Sequence, residues 1–145
     1  MEKKTYAILA AGIGEKAWSA LGGILPPDRC HLTRLTRTAV ETRQALASGQ
    51  TDIVLINAEL PDGSGAELAL ELSESTMGIL LLTSQERYGV DSALVEERGV
   101  LTLSRPVSAK MLDTSVRLLM AVTARLGAME QKQKSLQDKM TDIRR

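Results

Sequence analysis

The chain has 145 residues, enough for one domain whose core needs neither disulfides nor metals. Eighteen Lys and Arg balance eighteen Asp and Glu, so overall charge gives no reason to expect nucleic-acid or membrane binding. The absence of Phe, with one Trp and two Tyr, excludes an aromatic RNA-stacking surface and demands an aliphatic core, while the single cysteine, Cys30, excludes an internal disulfide and a multi-cysteine metal site and reads as a buried thiol. The apolar part of the N-terminal "MEKKTYAILAAGIGEKAW" is too short and interrupted for a signal peptide. No segment approaches the roughly 20 apolar residues of a membrane span. The chain reads as cytoplasmic.

In chain order, "TYAILAA" (5–11) predicts a buried strand, followed by a helix over about 15–24 that "GG" and "PP" stop. "CHLTRLT" (30–36) alternates weakly, as an edge strand does. "TAVETRQALASG" (38–49) places Ala39, Val40, Arg43, Leu46 and Ala47 at helical spacing. "DIVLIN" (52–57) is a continuous β-branched run, typical of a strand covered on both faces. A helix over 64–75 with its stripe at Ala66, Leu68 and Leu72 follows, then the apolar strand "MGILLLTS" (77–84), a helix over 90–99 and a last strand, "VLTL" (100–103).

Strands alternating with helices predict an α/β fold, a doubly wound five-stranded parallel sheet. Ligands and chemistry in such sheets collect at the carboxyl ends of the strands, here Gly12, Asn57, Thr83 and Arg105. Asn57 is the puzzle: a neutral amide ends the strand where a reactive group is expected.

The last 38 residues break the alternation. Leu112, Ser115, Leu119, Val122, Leu126, Met129, Gln133, Leu136, Met140 and Ile143 fall at alternating steps of three and four, a heptad stripe. One helix over 108–143 would be roughly 50 Å long at 1.5 Å per residue, too long for a small domain to cover. The expected division is therefore a domain over 1–107 and a long helix over 108–145 that packs on the domain first and then forms a coiled coil with a second copy. The seam runs through Leu119, Val122, Leu126, Met129, Gln133, Leu136, Met140 and Ile143. A chain cut after Leu118 is then expected to fold as a monomer.

At these residues a family resemblance emerges. "DIVLINAELPDGSGAELALEL" resembles the third strand and following loop of response-regulator receiver domains, with Asn57 where the phospho-accepting aspartate stands. "GILLLTS" resembles the fourth strand, with Thr83 at the hydroxyl position, and "GVLTLSRPVSAKML" the fifth, with Arg105-Pro106 in place of Lys-Pro. The resemblance covers about residues 4–125 and implies a flavodoxin-like sheet of strand order 2-1-3-4-5. The long tail is similar to that of ANTAR-type regulators, in which a coiled coil joins the receiver to an RNA-binding output controlling transcription antitermination. That output domain is absent from these residues or truncated.

Against the family's pattern, the acidic pair expected after the first strand falls at Gly12 and Ile13, and the switch aromatic at Thr102. A phosphoryl acceptor needs a carboxylate, and its Mg²⁺ needs carboxylate ligands; Asp62 reads as a turn former. Nucleophile, metal acids and switch ring are missing together. The expectation is a non-catalytic, degenerate receiver with no metal and no cofactor, for which a histidine kinase is a doubtful partner. Asn57 itself reads as structural, its amide bonded to Thr83 or to loop backbone; the alternative function is a doubly wound small-ligand or anion-binding protein, or an enzyme, using a pocket at Asn57, Thr83 and Arg105. His31 has no partner for catalysis at readable spacing, and "GIGEKAW" lacks the third glycine of a phosphate loop.

Overall fold

A computed structural model describes the backbone of residues 5–143 and the side chains of residues 5–129. Five parallel strands, β1 (Tyr6–Ala11), β2 (Cys30–Thr36), β3 (Ile53–Asn57), β4 (Gly78–Thr83) and β5 (Leu101–Ser104), form one sheet in the order 2-1-3-4-5. The helices are α1 (Glu15–Ile24), α2 (Ala39–Leu46), α3 (Gly65–Leu72), α4 (Tyr88–Val95) and α5 (Ala109–Ile143). The sheet and its order are those expected. Glu59–Leu60 and Gly63–Ser64 add a small antiparallel hairpin after β3.

Strand character follows position. Every residue of β1 is buried, as it must be between β2 and β3 with helices on both faces. At the edge, β2 alternates and exposes His31, Thr33 and Arg34. Ile8, Ala10, Ile53, Leu55 and Leu80 face α1 and α5, whereas Leu9, Val54, Ile56, Ile79 and Leu81 face α2, α3 and α4. The two-residue period of the strands thus sorts the core into two layers.

Local chemistry sets the helix starts. Thr38 caps α2 by accepting from Glu41 N at 3.0 Å, and Ser64 caps α3 by accepting from Glu67 N at 3.2 Å. The stripe of α2 is phased differently from expectation: Ala39 and Thr42 are buried, and Val40 is exposed. The Thr42 hydroxyl is satisfied inside by Thr36 Oγ1 at 2.7 Å, which is why a polar residue holds the buried position. Arg43, expected on the apolar stripe, lies outside in an exposed two-point pair with Glu71 of α3, Nε–Oε2 2.8 Å and Nη2–Oε1 3.2 Å. This pair raises the guanidinium pKa and lowers that of the carboxyl. Where a helix over 90–99 is expected, α4 ends at Val95, and a 3₁₀ turn closes on Gly99 at φ 78°. Cys30 is a buried thiol whose pKa burial raises, donating towards Met120 Sδ at 3.6 Å.

The proximal part of α5 belongs to the domain. Leu112, Val116, Leu119 and Met120 are buried with the α1-side layer, and Ser115 and Thr123 share that face. This corrects the expected seam at its first member: Leu119 is 4% exposed and packed in the core, where its Cβ lies beside Gly78 of β4. The next seam residues point outward, with Val122, Leu126 and Met129 at 38%, 40% and 64% exposure. Gln133, Leu136, Met140 and Ile143 lie outside the residues with described side chains. A cut after Leu118 would remove core, so the expectation of a folded monomer from it falls. No helix among the described residues is long and apolar enough to cross a membrane.

Candidate functional site

The site forms where the carboxyl ends of β1, β3, β4 and β5 meet the loops that follow. Gly12 leaves β1 at φ 77°, and a Cβ there would collide with Leu60 Cδ2 and lie 3.2 Å from Asn57 Cβ. The positive φ favours glycine, and any side chain there would have to displace Leu60 and crowd Asn57. The freed space lets Asn57 close in: its Nδ2 donates to Gly12 O at 2.9 Å, and its Oδ1 accepts from Glu59 N at 3.1 Å. The amide ties the β1–α1 loop to the β3 turn, using one donor and one acceptor at once. A carboxylate offers no donor and would set two oxygens against each other.

Asp62 has a different partner. Its Oδ1 accepts from Ala39 N at 2.8 Å and its Oδ2 from Val40 N at 3.1 Å, so the hairpin tip clamps the first turn of α2. The bond from Ala39 N and, after it, that from Val40 N hold the carboxyl pKa below its ordinary value. With the folded-state pKa lowered, the clamp contributes fully above the ordinary carboxylate range and fades as pH falls through the folded value. Melting temperature followed from about pH 5 to about pH 2 should therefore fall less steeply for Asp62→Asn than for the native chain. Equal slopes would mean that the clamp does not form.

Thr83 ends β4 as expected, but its side chain does not share a face with Asn57. In the register β3 pairs Asn57 with Leu82, so Thr83 lies one residue further on and faces the other layer. There its hydroxyl donates to Asp91 Oδ2 of α4 at 2.6 Å, fully buried. Asp91 is 2% exposed, and its Oδ1 accepts from Arg87 Nη2 at 3.3 Å. The expected trio of Asn57, Thr83 and Arg105 is thus not one pocket, and no anion fits between Thr83 and Arg105 with this hydroxyl committed elsewhere. Sequence reasoning missed Asp91; an acidic residue one turn after Arg87 on an apolar helix was the available signal.

Asn57 and Arg105 do share a cavity of about 330 Å³ between α1, the sheet and the start of α5. Its other walls are Gly12, Ile13, Gly14, Ala17, Ala20, Leu21, Ile24, Leu55, Leu82, Val107 and Leu112. Of these, only Asn57 and Arg105 have polar side chains. Arg105 N donates to Thr83 O at 2.8 Å, which fixes the backbone, while its exposed side chain also borders a shallow cleft lined by Glu59 and Glu86.

No protein-family model and no curated protein matches the sequence. Solved structures do resemble it. The signal receiver domain of an HD domain-containing protein from Pseudomonas fluorescens Pf-5 superposes with a TM-score of 0.73 at 23% identity, over 84% of this chain and 99% of that one. A response regulator receiver domain protein from Clostridium thermocellum gives 0.70 at 17% identity, over 86% and 98%. The receiver domain of the TMAO respiratory system response regulator TorR gives 0.69 at 22% identity, over 79% and 96%. The chain has the receiver fold.

Within the receiver fold this site does not fit the divalent cation that the resemblance implies. Mg²⁺ takes hard oxygen ligands, chiefly carboxylates. Position 12 holds a glycine whose carbonyl is bonded to Asn57, Asn57 is spent on two backbone partners, and both Asp62 oxygens cap α2. No three His, Cys, Asp or Glu side chains among the described residues are grouped to hold a metal ion.

Proposed function

We propose that the chain is a signal-transduction module of receiver type that is not phosphorylated at position 57. In this reading it pairs with a second copy through the distal part of α5, and an RNA-binding antitermination output is what the pairing controls. The bonding of Asn57 to Gly12 O and Glu59 N carries the first part, because the amide is built into the loop rather than left for chemistry. Exposure of Val122, Leu126 and Met129 supports the second. Covering a Leu-sized side chain contributes about 1.5–3 kcal/mol, so a seam of several offsets the roughly 4–15 kcal/mol cost of association. Gln133 on that seam would fix register at some cost in stability, and receiver domains at one end feeding one output unit at the other call for a parallel pair. The RNA output rests on the ANTAR resemblance alone. Catalysis has no support here, since Asn57 and Arg105 are not a nucleophile–base pair.

Incubation with a small phosphodonor and Mg²⁺, read by intact mass, tests the first part. The native chain should take no phosphoryl group, and Asn57→Asp should take none either. Asn57→Asp should instead lose roughly 1–3 kcal/mol of stability at neutral pH through its orphaned carbonyl, with part of the loss recovered in acid as the new carboxyl protonates and regains a donor. A stoichiometric Mg²⁺-dependent adduct at residue 57 of the native chain overturns this reading, and one on Asn57→Asp shows that the site holds the metal after all.

A further inference from the structure

We propose that the cavity beneath α1 binds an amphiphilic monocarboxylate with a compact aliphatic body, its carboxylate held by Arg105 at the mouth. The cavity is lined almost wholly by aliphatic side chains, among them Ile24, Leu55, Leu82 and Leu112. Its volume of about 330 Å³ lies at the small end of ligand sites and is roughly twice that of an apolar cavity able to hold benzene. A chain of about six to ten carbons matches that size. The packing of α1 leaves the room: Leu21 is its one buried residue, and the small, exposed side chains of Ala17 and Ala20 border the opening.

The polar groups select the ligand's charge. Asn57 accepts from Glu59 N and donates one N–H to Gly12 O, which leaves its second N–H free to donate beside one remaining oxygen lone pair. Arg105 adds a fork of donors, and no carboxylate among the described residues pairs with it. Arg105 is the only charged side chain lining the cavity, so the mouth favours an anionic acceptor, and a carboxylate matches the fork in two-point geometry. Glu59 and Glu86 on the far side of Arg105 reduce the local positive charge, which disfavours phosphate and other polyanions. The apolar walls disfavour any anion without an aliphatic body.

Leu112 makes one wall from α5, so the ligand would contact the helix that carries the exposed seam. The proposal deepens the receiver reading by giving it an input, and rests on that reading for this role only. Binding is measured without phosphodonor and on the full chain, so a failure here leaves the mass measurement above untouched.

Octanoate, the uncharged n-octanol and inorganic phosphate are the probes. Trp18, the only tryptophan, lies on α1 beside Ala17 and reports by fluorescence, with thermal shift as a second readout. Octanoate should saturate and raise the melting temperature, n-octanol should bind about tenfold more weakly, and phosphate should leave both signals unchanged. Arg105→Ala should weaken octanoate about tenfold and leave n-octanol within about twofold, while Ala20→Leu should abolish both. No octanoate signal, equal binding of octanoate and n-octanol, octanoate binding unaffected by Arg105→Ala, or phosphate binding in its place would each overturn the assignment.

Discussion

Leu119→Ala should cost about 2–5 kcal/mol of stability, the ordinary range for a buried Leu truncated to Ala, and lower the melting temperature by roughly 10 °C in a domain of this size. It should leave self-association of the folded chain unchanged. Leu119 packs from α5 onto the sheet, beside Gly78, and at 4% exposure leaves almost no surface for a partner. The opposite split is expected for Leu126→Asp, at a side chain 40% exposed: near-native melting, and a light-scattering mass that falls from dimer to monomer. Ending the chain after Met129 should give a folded monomer, whereas ending it after Leu118 strips Leu119, Met120 and Thr123 from the core and should leave it unfolded. Retained melting with lost dimer in Leu119→Ala would put Leu119 on the seam after all. A monomeric native chain at tens of micromolar would remove the dimer altogether.

Gly65→Ala should be the most damaging single methyl in the molecule, with a loss of about 3 kcal/mol or more. A Cβ at Gly65 would overlap Asn57 O and come within 2.8 Å of Ala58 Cα. Neither neighbour is free to move, because Ala58 O accepts from Gly65 N at 2.8 Å and Ala58 N donates to Leu82 O at 2.8 Å. The collision is with backbone, so no rotamer change relieves it. Gly89 is the control: it lies inside α4 with no positive φ, and a methyl placed on it would meet nothing within 4 Å. Gly89→Ala should gain up to about 1 kcal/mol from helix propensity. Thermal melts of the two variants decide the matter; equal effects would mean that the α3 start is looser than its contacts imply.

Residue order alone was enough to specify the sheet and its parallel strands. The centres of these strands, "IVLI" and "ILLL", are apolar without interruption, and a strand of that kind is stable only when covered on both faces. That position 57 lacks a nucleophile and that the last helix outruns the domain also follow from residue type and spacing. What each amide and carboxyl does instead depends on contacts made only in the folded chain. Asn57 meets Gly12 across 45 positions, and Asp62 meets Ala39 across 23, so neither partner is readable from local spacing. Thr83 is grouped with Asn57 by sequence because both end apolar strands, but pairing Asn57 with Leu82 turns Thr83 to the opposite layer, where Asp91 takes its hydroxyl. A shift of one residue in strand register exchanges faces, and the register is set by the packed sheet as a whole. The same holds for α5: a heptad stripe has one period whether it faces a sheet or a second helix. Only the position of β4 under Leu119 shows where the core ends, and where the outward-facing stripe begins at Val122.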